Sequence, residues 1–405
     1  MPPWKRSLAA LWFANWVTAT GMWAMVPFLT YFVEELGIED PASRNLWTGV
    51  LVAAAPIVAA LMGPVWGGIG DRFSRKAMVL RATAAIVVFV GLMSFAQSVW
   101  VLLVLRLLQG AFSGYVPPSI TLVSVQAPVD RQGTVAGIMQ AAMHAGAVSG
   151  FLLGGQIAAE GAMRGVFPIC SALAAIGFFV VLVLVREERR GMPSSGRGLR
   201  AIIKGVVDDY RYAFTLRALV RLLICVVAVR TLIATATPSY ARYIEHLGGE
   251  RETVGYVFCA EATVLFLFMP AWGRLIERTG PRHVFALCAV TLAVSYVAQS
   301  YAADVEQLVY CRLLSGIGQS GIYPAAYAMA SRESHLDRRG SAIGAVFMAL
   351  ALSHGLGSAM GGWFLNEFGF EKLLAVIGSG AFALGAFALW DARRSRHTEL
   401  DQASP

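Results

Sequence analysis

Four ionisable side chains interrupt long apolar stretches of the sequence: Arg106, Arg230, Glu261 and Arg312. An ionisable group in such surroundings is costly to bury, so it is expected to have a partner and a function. A carboxylate that meets a guanidinium stays ionised while the two are paired, and it can take up a proton when they separate. Glu261 is therefore a candidate proton carrier, with Arg230 and Arg106 as the cations that would assist proton coupling.

Counting along the chain places Arg230 and Glu261 at a similar depth. Arg230 lies roughly 18 Å from one end of its apolar stretch and Glu261 roughly 12 Å from the opposite end of the next, at about 1.5 Å per helical residue in a core of about 30 Å. Consecutive helices joined by a short loop are usually neighbours, so the sequence predicts a direct ion pair between Arg230 and Glu261. The alternative is a static pair that only makes both charges tolerable.

The elements that must position these groups are membrane helices. Hydrophobic residues make up 57% of the chain and charged residues only 14%, whereas soluble proteins carry about 25% charged residues. Twelve apolar stretches have roughly the 20-residue length that crosses a hydrocarbon core as a helix, which predicts an all-α membrane protein. We number them as spans 1 to 12, and they are residues 8–33, 47–69, 77–97, 99–127, 134–158, 166–185, 218–244, 254–276, 284–302, 305–329, 341–365 and 373–390.

Two stretches of the sequence recur 206 residues later. Pro64–Arg72 returns as Pro270–Arg278, and Arg106–Gly110 returns as Arg312–Gly316. An internal duplication of this length in apolar sequence is typical of secondary transporters built from two similar bundles. The two halves are therefore predicted to be pseudo-symmetric six-helix bundles.

A polar break separates the two halves. We predict a first six-helix bundle at 1–185, a cytoplasmic linker at 186–217 that contains an amphipathic surface helix, and a second bundle at 218–405. With both termini in the cytoplasm, 25 of the 33 Lys and Arg residues lie on cytoplasmic segments or at the cytoplasmic ends of spans, 5 lie on outer segments or at outer ends, and 3 lie deep within spans. This positive-inside bias predicts a multi-pass protein of the cell (inner) membrane. It also accounts for the net charge of +8 without a nucleic-acid partner.

Signals for disulfides, metals and enzyme activity are weak in this sequence. The five cysteines have no paired spacing, so neither a disulfide framework nor a zinc site is predicted. H-E-x-x-H and G-x-S-x-G do not occur, and these are motifs by which an intramembrane enzyme would be recognised. We predict no enzyme activity, no metal and no organic cofactor, and we expect a monomer.

Three motifs resemble those of the major facilitator superfamily. Gly67–Lys76 resembles its loop signature G-x-L-A-D-R-x-G-R-K, with Ser74 where the pattern has Gly, and Arg106–Gly110 is similar to the R-x-x-Q-G signature of proton-driven members. Span 5 resembles the glycine-rich signature of its exporters, with Phe151 in place of the motif proline. The resemblance covers the whole chain, and it looks closest to the bacterial multidrug exporters of the twelve-helix drug:proton antiporter branch.

The resemblance implies a central cavity lined by spans 1, 4, 7 and 10. The polar candidates for this cavity, one on each span, are Asn15, Arg106, Arg230 and Arg312. Such a cationic cavity would attract an anionic or zwitterionic substrate. For Arg106 and Arg312 the alternative is that they bond to backbone carbonyls as fold elements. Trp16 and Trp23 on span 1 are candidate substrate-stacking residues, or else lipid-facing tryptophans.

The charges of the loop signature predict a conformational latch on the cytoplasmic side, because the same chemistry recurs in the second half. The latch residues are Gly67, Asp71, Arg72, Arg75 and Lys76, echoed in the second half by Glu277 and Arg278. The alternative for this loop is a plain ion pair worth less than about 1 kcal/mol. Small residues at four-residue spacing also predict close helix packing along one face of span 5 and one face of span 11. These packing residues are Gly146, Gly150, Gly154, Gly155, Gly357 and Gly361.

The sequence as a whole predicts proton-coupled efflux of small amphiphilic molecules or drugs by alternating access. The partners would be a small-molecule substrate, protons and the lipid bilayer. A permease of the same fold that imports an anionic metabolite is the first alternative. A non-transporting membrane sensor, for which we find no appended sensory domain, is the second. The substrate, the direction of transport and the proton stoichiometry are open at this point.

Overall fold

A computed structural model describes residues 2–72, 74–128, 131–161, 163–187, 208, 211–335 and 339–403. Within that part the regular structure is helical, with no strand. The principal helices, in chain order, are α1 (Pro3–Met25), α2 (Leu29–Glu35), α3 (Pro41–Arg72), α4 (Arg75–Met93), α5 (Val99–Phe112), α6 (Val116–Gln126), α7 (Gln132–Ala159), α8 (Met163–Leu184), α9 (Arg217–Ala236), α10 (Tyr240–His246), α11 (Arg251–Thr279), α12 (Pro281–Gln299), α13 (Val305–Glu333) and α14 (Arg339–Ala403).

These helices account for the twelve predicted spans. Spans 1, 4 and 7 are each built from two helices, namely α1 with α2, α5 with α6, and α9 with α10. Pro27 and Pro238 lie in the 3₁₀ turns that break spans 1 and 7, because a proline nitrogen cannot donate to the helical ladder. Ten of the described segments are long and apolar enough to cross a membrane. Span 10 is the more polar α13, and α14 divides into spans 11 and 12 at Gly369, whose φ of 70° is not helical. The all-α membrane fold is therefore confirmed for the described residues.

The spans pack as two groups of six. In the first group span 1 contacts spans 5 and 6, span 2 contacts span 4, and span 3 contacts spans 4 and 6. In the second group span 7 contacts spans 10 and 11, while spans 8 and 9 both contact span 10. The groups meet along spans 2 and 11 and along spans 5 and 8. The domain boundaries stay a prediction, because most of 186–217 lies outside the described residues; of the predicted surface helix only residue 208 and the helical residues from 211 onward are described.

The duplication read from the sequence recurs in individual hydrogen bonds. In the first half the Nε1 atom of Trp66 donates to the carbonyl oxygen of Ala111 at 2.7 Å. In the second half the Nε1 atom of Trp272 donates to the carbonyl oxygen of Ile317 at 2.9 Å. Both partners are shifted by the same 206 residues, so the two halves share a tertiary scaffold as well as a motif.

The packing glycines predicted on spans 5 and 11 lie where another helix backbone comes very close. A Cβ added at Gly150 would stand 2.4 Å from the carbonyl oxygen of Thr20 on span 1. Gly155 differs, because it faces Gly255 of span 8 in the other half. The glycines at which an added Cβ would come within 3.0 Å of a carbonyl oxygen of span 1 or span 7 are Gly146, Gly150, Gly154, Gly357 and Gly361. Most of this packing therefore lies inside each half, and Gly155 serves the interface between the halves.

Side chains join the two halves at one end of the molecule. Glu34 at the end of span 1 accepts a hydrogen bond from Arg242 of span 7. Asn45 donates through Nδ2 to Oδ1 of Asn366 at 2.9 Å, and Asn366 donates to the carbonyl oxygen of Ala42 at 2.9 Å. We call this the closed end, and the opposite end, where span 6 leads into the linker, the linker end. The turns of the closed end are 36–40, 94–98, 160–161, 247–250 and 300–304.

Gly150→Leu is expected to lower the thermal stability of the purified protein, because the new side chain must push span 5 away from span 1. Overpacking of this kind costs about 1–3 kcal/mol. Gly137→Leu on the same helix is the matched control, since no atom lies within 4 Å of a Cβ added there. Melting temperatures of the two variants in detergent check the prediction. A melting temperature unchanged by Gly150→Leu would contradict the close helix contact.

Candidate functional site

Glu261 lies in the middle of span 8 and is 9% exposed. Its carboxylate forms an ion pair with Arg312 and accepts hydrogen bonds from the Oγ of Ser315 and the Nε2 of Gln319. These three partners are all on span 10, at steps of three and four residues, which places them on one face of that helix. One helix therefore supplies the cation and both neutral donors to the carboxylate.

The predicted direct pairing of Glu261 with Arg230 is wrong. Arg230 donates through Nη1 to the Oε1 of Gln319 at 3.0 Å, and Gln319 donates through Nε2 to Glu261. Arg230 and Glu261 do lie at a similar depth, as predicted, because the side-chain amide of Gln319 bonds to both of them. The assumption about neighbours fails, because spans 7 and 8 make their principal contact near the closed end, whereas span 10 packs against both of them. Ser315 and Gln319 were not identified from the sequence, although their spacing from Arg312 places all three on one face of span 10.

Two aromatic rings fix the guanidinium of Arg312. Its central carbon lies 4.1 Å from the ring centre of Tyr240 and 5.0 Å from that of Phe258. Cations over aromatic faces are attracted to the ring quadrupole, and more strongly where water is excluded. Arg312 is only 2% exposed. With Glu261 and the two rings as neighbours, it is the cation that balances the carboxylate in this conformation.

Arg106 is buried in the first half by neutral acceptors. Its Nε donates to the carbonyl oxygen of Leu51 at 2.9 Å, Nη2 donates to that of Val52 at 3.4 Å, and Nη1 donates to the Oε1 of Gln109 at 2.9 Å. It is 2% exposed. These contacts favour the reading of Arg106 as a fold element that ties span 4 to span 2.

The two halves differ at the position of the acid. Arg106 corresponds to Arg312 by the 206-residue offset, and by the same offset Ala55 corresponds to Glu261. The first half therefore keeps the arginine without the carboxylate. The 206-residue offset marks Glu261 as the group in which the halves differ, but it does not by itself show that Arg312 is the partner.

The span 1 candidates lie within helix packing in this conformation. Asn15 is 1% exposed, and its Nδ2 finds no hydrogen-bond acceptor among the described residues. Trp16 donates through Nε1 to the Oγ of Ser149 at 3.1 Å. Asn15 therefore does not line an open surface in this conformation, contrary to expectation, because it is almost fully buried.

Trp23 belongs to a row of aromatic rings that crosses between the halves. Its ring centre lies 5.4 Å from that of Phe151 on span 5, which lies 5.2 Å from that of Phe258 on span 8. Phe258 lies 5.9 Å from Tyr240 on span 7. Phe258 is one helical turn nearer to the closed end than Glu261. The row therefore covers the ion pair on the side of the closed end.

The loop signature is tied to span 6 of its own half. The Oγ of Ser74 caps α4 by accepting from the backbone N–H of Ala77 at 2.9 Å and donates to the carboxylate of Glu187. Glu187 also accepts from the backbone N–H of Arg75 at 2.8 Å and of Lys76 at 3.3 Å. A carboxylate at a helix N-terminus is stabilised by the exposed N–H groups and the helix dipole. The serine in place of the motif glycine therefore acts as a helix cap.

The other predicted latch residues are placed only in part. Gly67 lies on α3 with no atom within 4 Å of an added Cβ. The side chains of Asp71 and Arg72, which end α3, lie outside what the structure describes. Glu277 and Arg278 lie in the last turns of α11, at the linker end. Their role as a latch stays a prediction.

The sequence matches the profile described as Major Facilitator Superfamily at residues 11–247 and again at 222–404. The "Multidrug resistance protein MdtG" of Proteus mirabilis (strain HI4320) is 30% identical over 334 residues, which cover 80% of this chain and 81% of that protein. The protein of the same name from Escherichia coli O9:H4 (strain HS) is 27% identical over 398 residues, covering 97% of this chain and 96% of its own length.

Solved structures show the same fold at low sequence identity. The human organic anion transporter MFSD10 (TETRAN) superposes with a TM-score of 0.74 at 15% identity, covering 96% of this chain and all 100% of that one. The nucleoside transporter NupG superposes with a TM-score of 0.75 at 11% identity, covering 95% and 98%. With profile matches in both halves and a relative at 30% identity over 80% of the chain, this multi-pass membrane protein belongs to the major facilitator superfamily, a family of transporters and not of enzymes.

Proposed function

We propose that this chain exports small amphiphilic molecules or drugs across the cytoplasmic membrane in exchange for protons. Two similar proteins that match most of its length are named multidrug resistance proteins, which supports efflux. The observation that carries proton coupling is the carboxylate of Glu261, buried among membrane helices with Arg312. An ionised carboxylate is costly to keep among membrane helices, so its presence there indicates a function.

The distribution of basic residues supports an orientation. The linker end would face the cytoplasm, since 25 of 33 Lys and Arg residues then lie inside and 5 outside. The closed end, with Glu34 bonded to Arg242, would face the outside. Alternating access then requires these contacts to break while the halves approach one another at the linker end.

The geometry around Glu261 supports a specific way to move a proton. Arg312, Ser315 and Gln319 hold the carboxylate from one helix. A shift of span 10 against span 8 would withdraw all three donors together, and the carboxylate would then accept a proton from water. The reverse shift would expel the proton. A single helix movement therefore connects the conformational cycle with proton uptake and release.

Import of an anionic metabolite by the same fold is the second candidate. Three interior arginines, Arg106, Arg230 and Arg312, against the one carboxylate of Glu261 favour an anion. The direction of transport separates the two functions. Uptake into everted vesicles corresponds to export from the cell.

Glu261→Gln is expected to abolish uphill transport driven by a proton gradient while leaving downhill substrate exchange intact. The amide keeps the size of the side chain and one acceptor oxygen but cannot carry the proton. Transport of a drug panel in everted vesicles, with and without a pH gradient, measures both activities. Glu252→Gln is the matched control on the same helix, where the glutamate bonds Tyr256 near the closed end. Uphill transport that persists in Glu261→Gln would remove this residue from proton coupling.

A second prediction concerns the counter-ion of Glu261. Glu261→Gln leaves Arg312 as a buried charge without its acid, and breaking a buried pair costs about 3–5 kcal/mol. Arg312→Gln in the same chain is expected to recover much of the lost thermal stability, whereas Arg230→Gln is expected to recover little. A double-mutant cycle on melting temperatures compares the two pairs. If Arg230→Gln alone restored the thermal stability, Arg230 and not Arg312 would be the counter-ion of Glu261.

A third prediction concerns the closed end. In a chain whose five native cysteines are replaced by alanine, Asn45→Cys with Asn366→Cys places two thiols where a hydrogen bond of 2.9 Å now joins the halves. A short cleavable cross-linker is expected to stop transport, and reductant is expected to restore it. Each single cysteine variant with the same reagent is the control. Full transport by the cross-linked protein would show that this end need not open.

A further inference from the structure

Arg230 has donors that the protein does not use. It lies on span 7 and is 8% exposed. Its Nη1 donates to Gln319 at 3.0 Å, and its guanidinium carbon lies 4.9 Å from the ring centre of Tyr323. Its Nε is buried and has no hydrogen-bond acceptor among the described residues. A buried donor without an acceptor is unusual, and one that is charged is more so.

The other two interior arginines are already occupied. Each nitrogen of the Arg106 guanidinium donates to an oxygen of its own half. The Nε of Arg312 is also buried without an acceptor among the described residues, but the charge of Arg312 is neutralised by Glu261. Because Arg312 neutralises the one carboxylate of the site, the charge of Arg230 is left for another anion.

Arg230 also lies close to the boundary between the halves. Thr231, the residue after it, packs against Gly357 of span 11, where an added Cβ would stand 2.2 Å from the carbonyl oxygen of Thr231. Gly355 on the same helix packs against Ile57 of span 2. A ligand at Arg230 would therefore be held where the two halves face each other, at mid-span on both sides.

We propose that Arg230 is an oxyanion subsite, which takes a carboxylate or sulfonate group of an amphiphilic substrate. Nη1 stays with Gln319, and the free edge formed by Nε and Nη2 receives two oxygens side by side. That edge has the bidentate geometry in which arginine binds carboxylates. This proposal rests on the proposed efflux function and names its substrate class, which is amphiphilic anions and zwitterions rather than cations.

The experiment compares three probes that share one aromatic body: naphthalenesulfonate, naphthalenesulfonamide and naphthyltrimethylammonium. Binding to the full-length protein in detergent is expected to be strongest for the sulfonate. Arg230→Gln should weaken sulfonate binding by about tenfold or more, as the loss of a charge-assisted bond predicts, and should leave sulfonamide binding within a few-fold. Arg217→Gln, which removes an exposed arginine from the start of the same span, should change neither.

Folding and transport controls distinguish a failure of the Arg230 subsite from a failure of the proposed efflux function. Retained sulfonamide binding shows that Arg230→Gln is folded, and Arg230→Lys, which keeps the charge but not the two-pronged edge, should bind the sulfonate more weakly than the parent protein. Sulfonate affinity unchanged in both variants would overturn the subsite. Sulfonate binding that depends on Arg230, without export of any probe from vesicles, would instead count against efflux and leave the subsite standing.

Discussion

A carboxylate among membrane helices needs a cation and further donors, and this requirement organises the second half of the molecule. Glu261 obtains all of them from one face of span 10. Spans 8 and 10 must therefore approach closely, and Gly316 permits it, since a Cβ there would stand 2.7 Å from the backbone oxygen of Glu261. Gly110 faces the backbone oxygen of Ala55 in the same way, at 2.5 Å. The close helix contact is therefore present at equivalent positions of both halves, whereas the ion pair is formed at that contact in the second half.

The duplicated scaffold explains why the halves can differ in chemistry. Arg106 and Arg312 occupy equivalent positions, but Arg106 is satisfied by neutral oxygens of its own half. An arginine satisfied in this way has no acid beside it and ties span 4 to span 2. Arg312 is instead held by Glu261 and the Tyr240 ring. If Glu261 carries the proton as proposed, the proton chemistry belongs to the second half.

Helix number and depth could be predicted from the sequence, but helix neighbours could not. Counting residues along the chain placed Arg230 and Glu261 at the same depth. In the structure the side-chain amide of Gln319 bonds to both of them. The partner of a buried charge such as Glu261 depends on which helices touch. The positions of glycines on the other spans determine which helices can approach closely. Span 10 shows both sides of this limit. It falls outside the described segments that length and composition alone select as membrane-crossing, but it is one of the twelve stretches counted from the sequence, and the repeat of Arg106–Gly110 in Arg312–Gly316 supports that count.

Phe151 shows how a departure from a family motif changes the physics of the interface. A proline at this position would bend span 5 and remove a backbone donor. Phenylalanine leaves α7 continuous and brings its ring to 5.2 Å from Phe258 in the other half. Phe258 also lies 5.0 Å from the guanidinium of Arg312. Any movement that separates spans 5 and 8 at the closed end must part these two rings, and it thereby uncovers one side of the cation that holds Glu261. The closure of one end and the environment of the buried ion pair are thus linked through a single aromatic side chain.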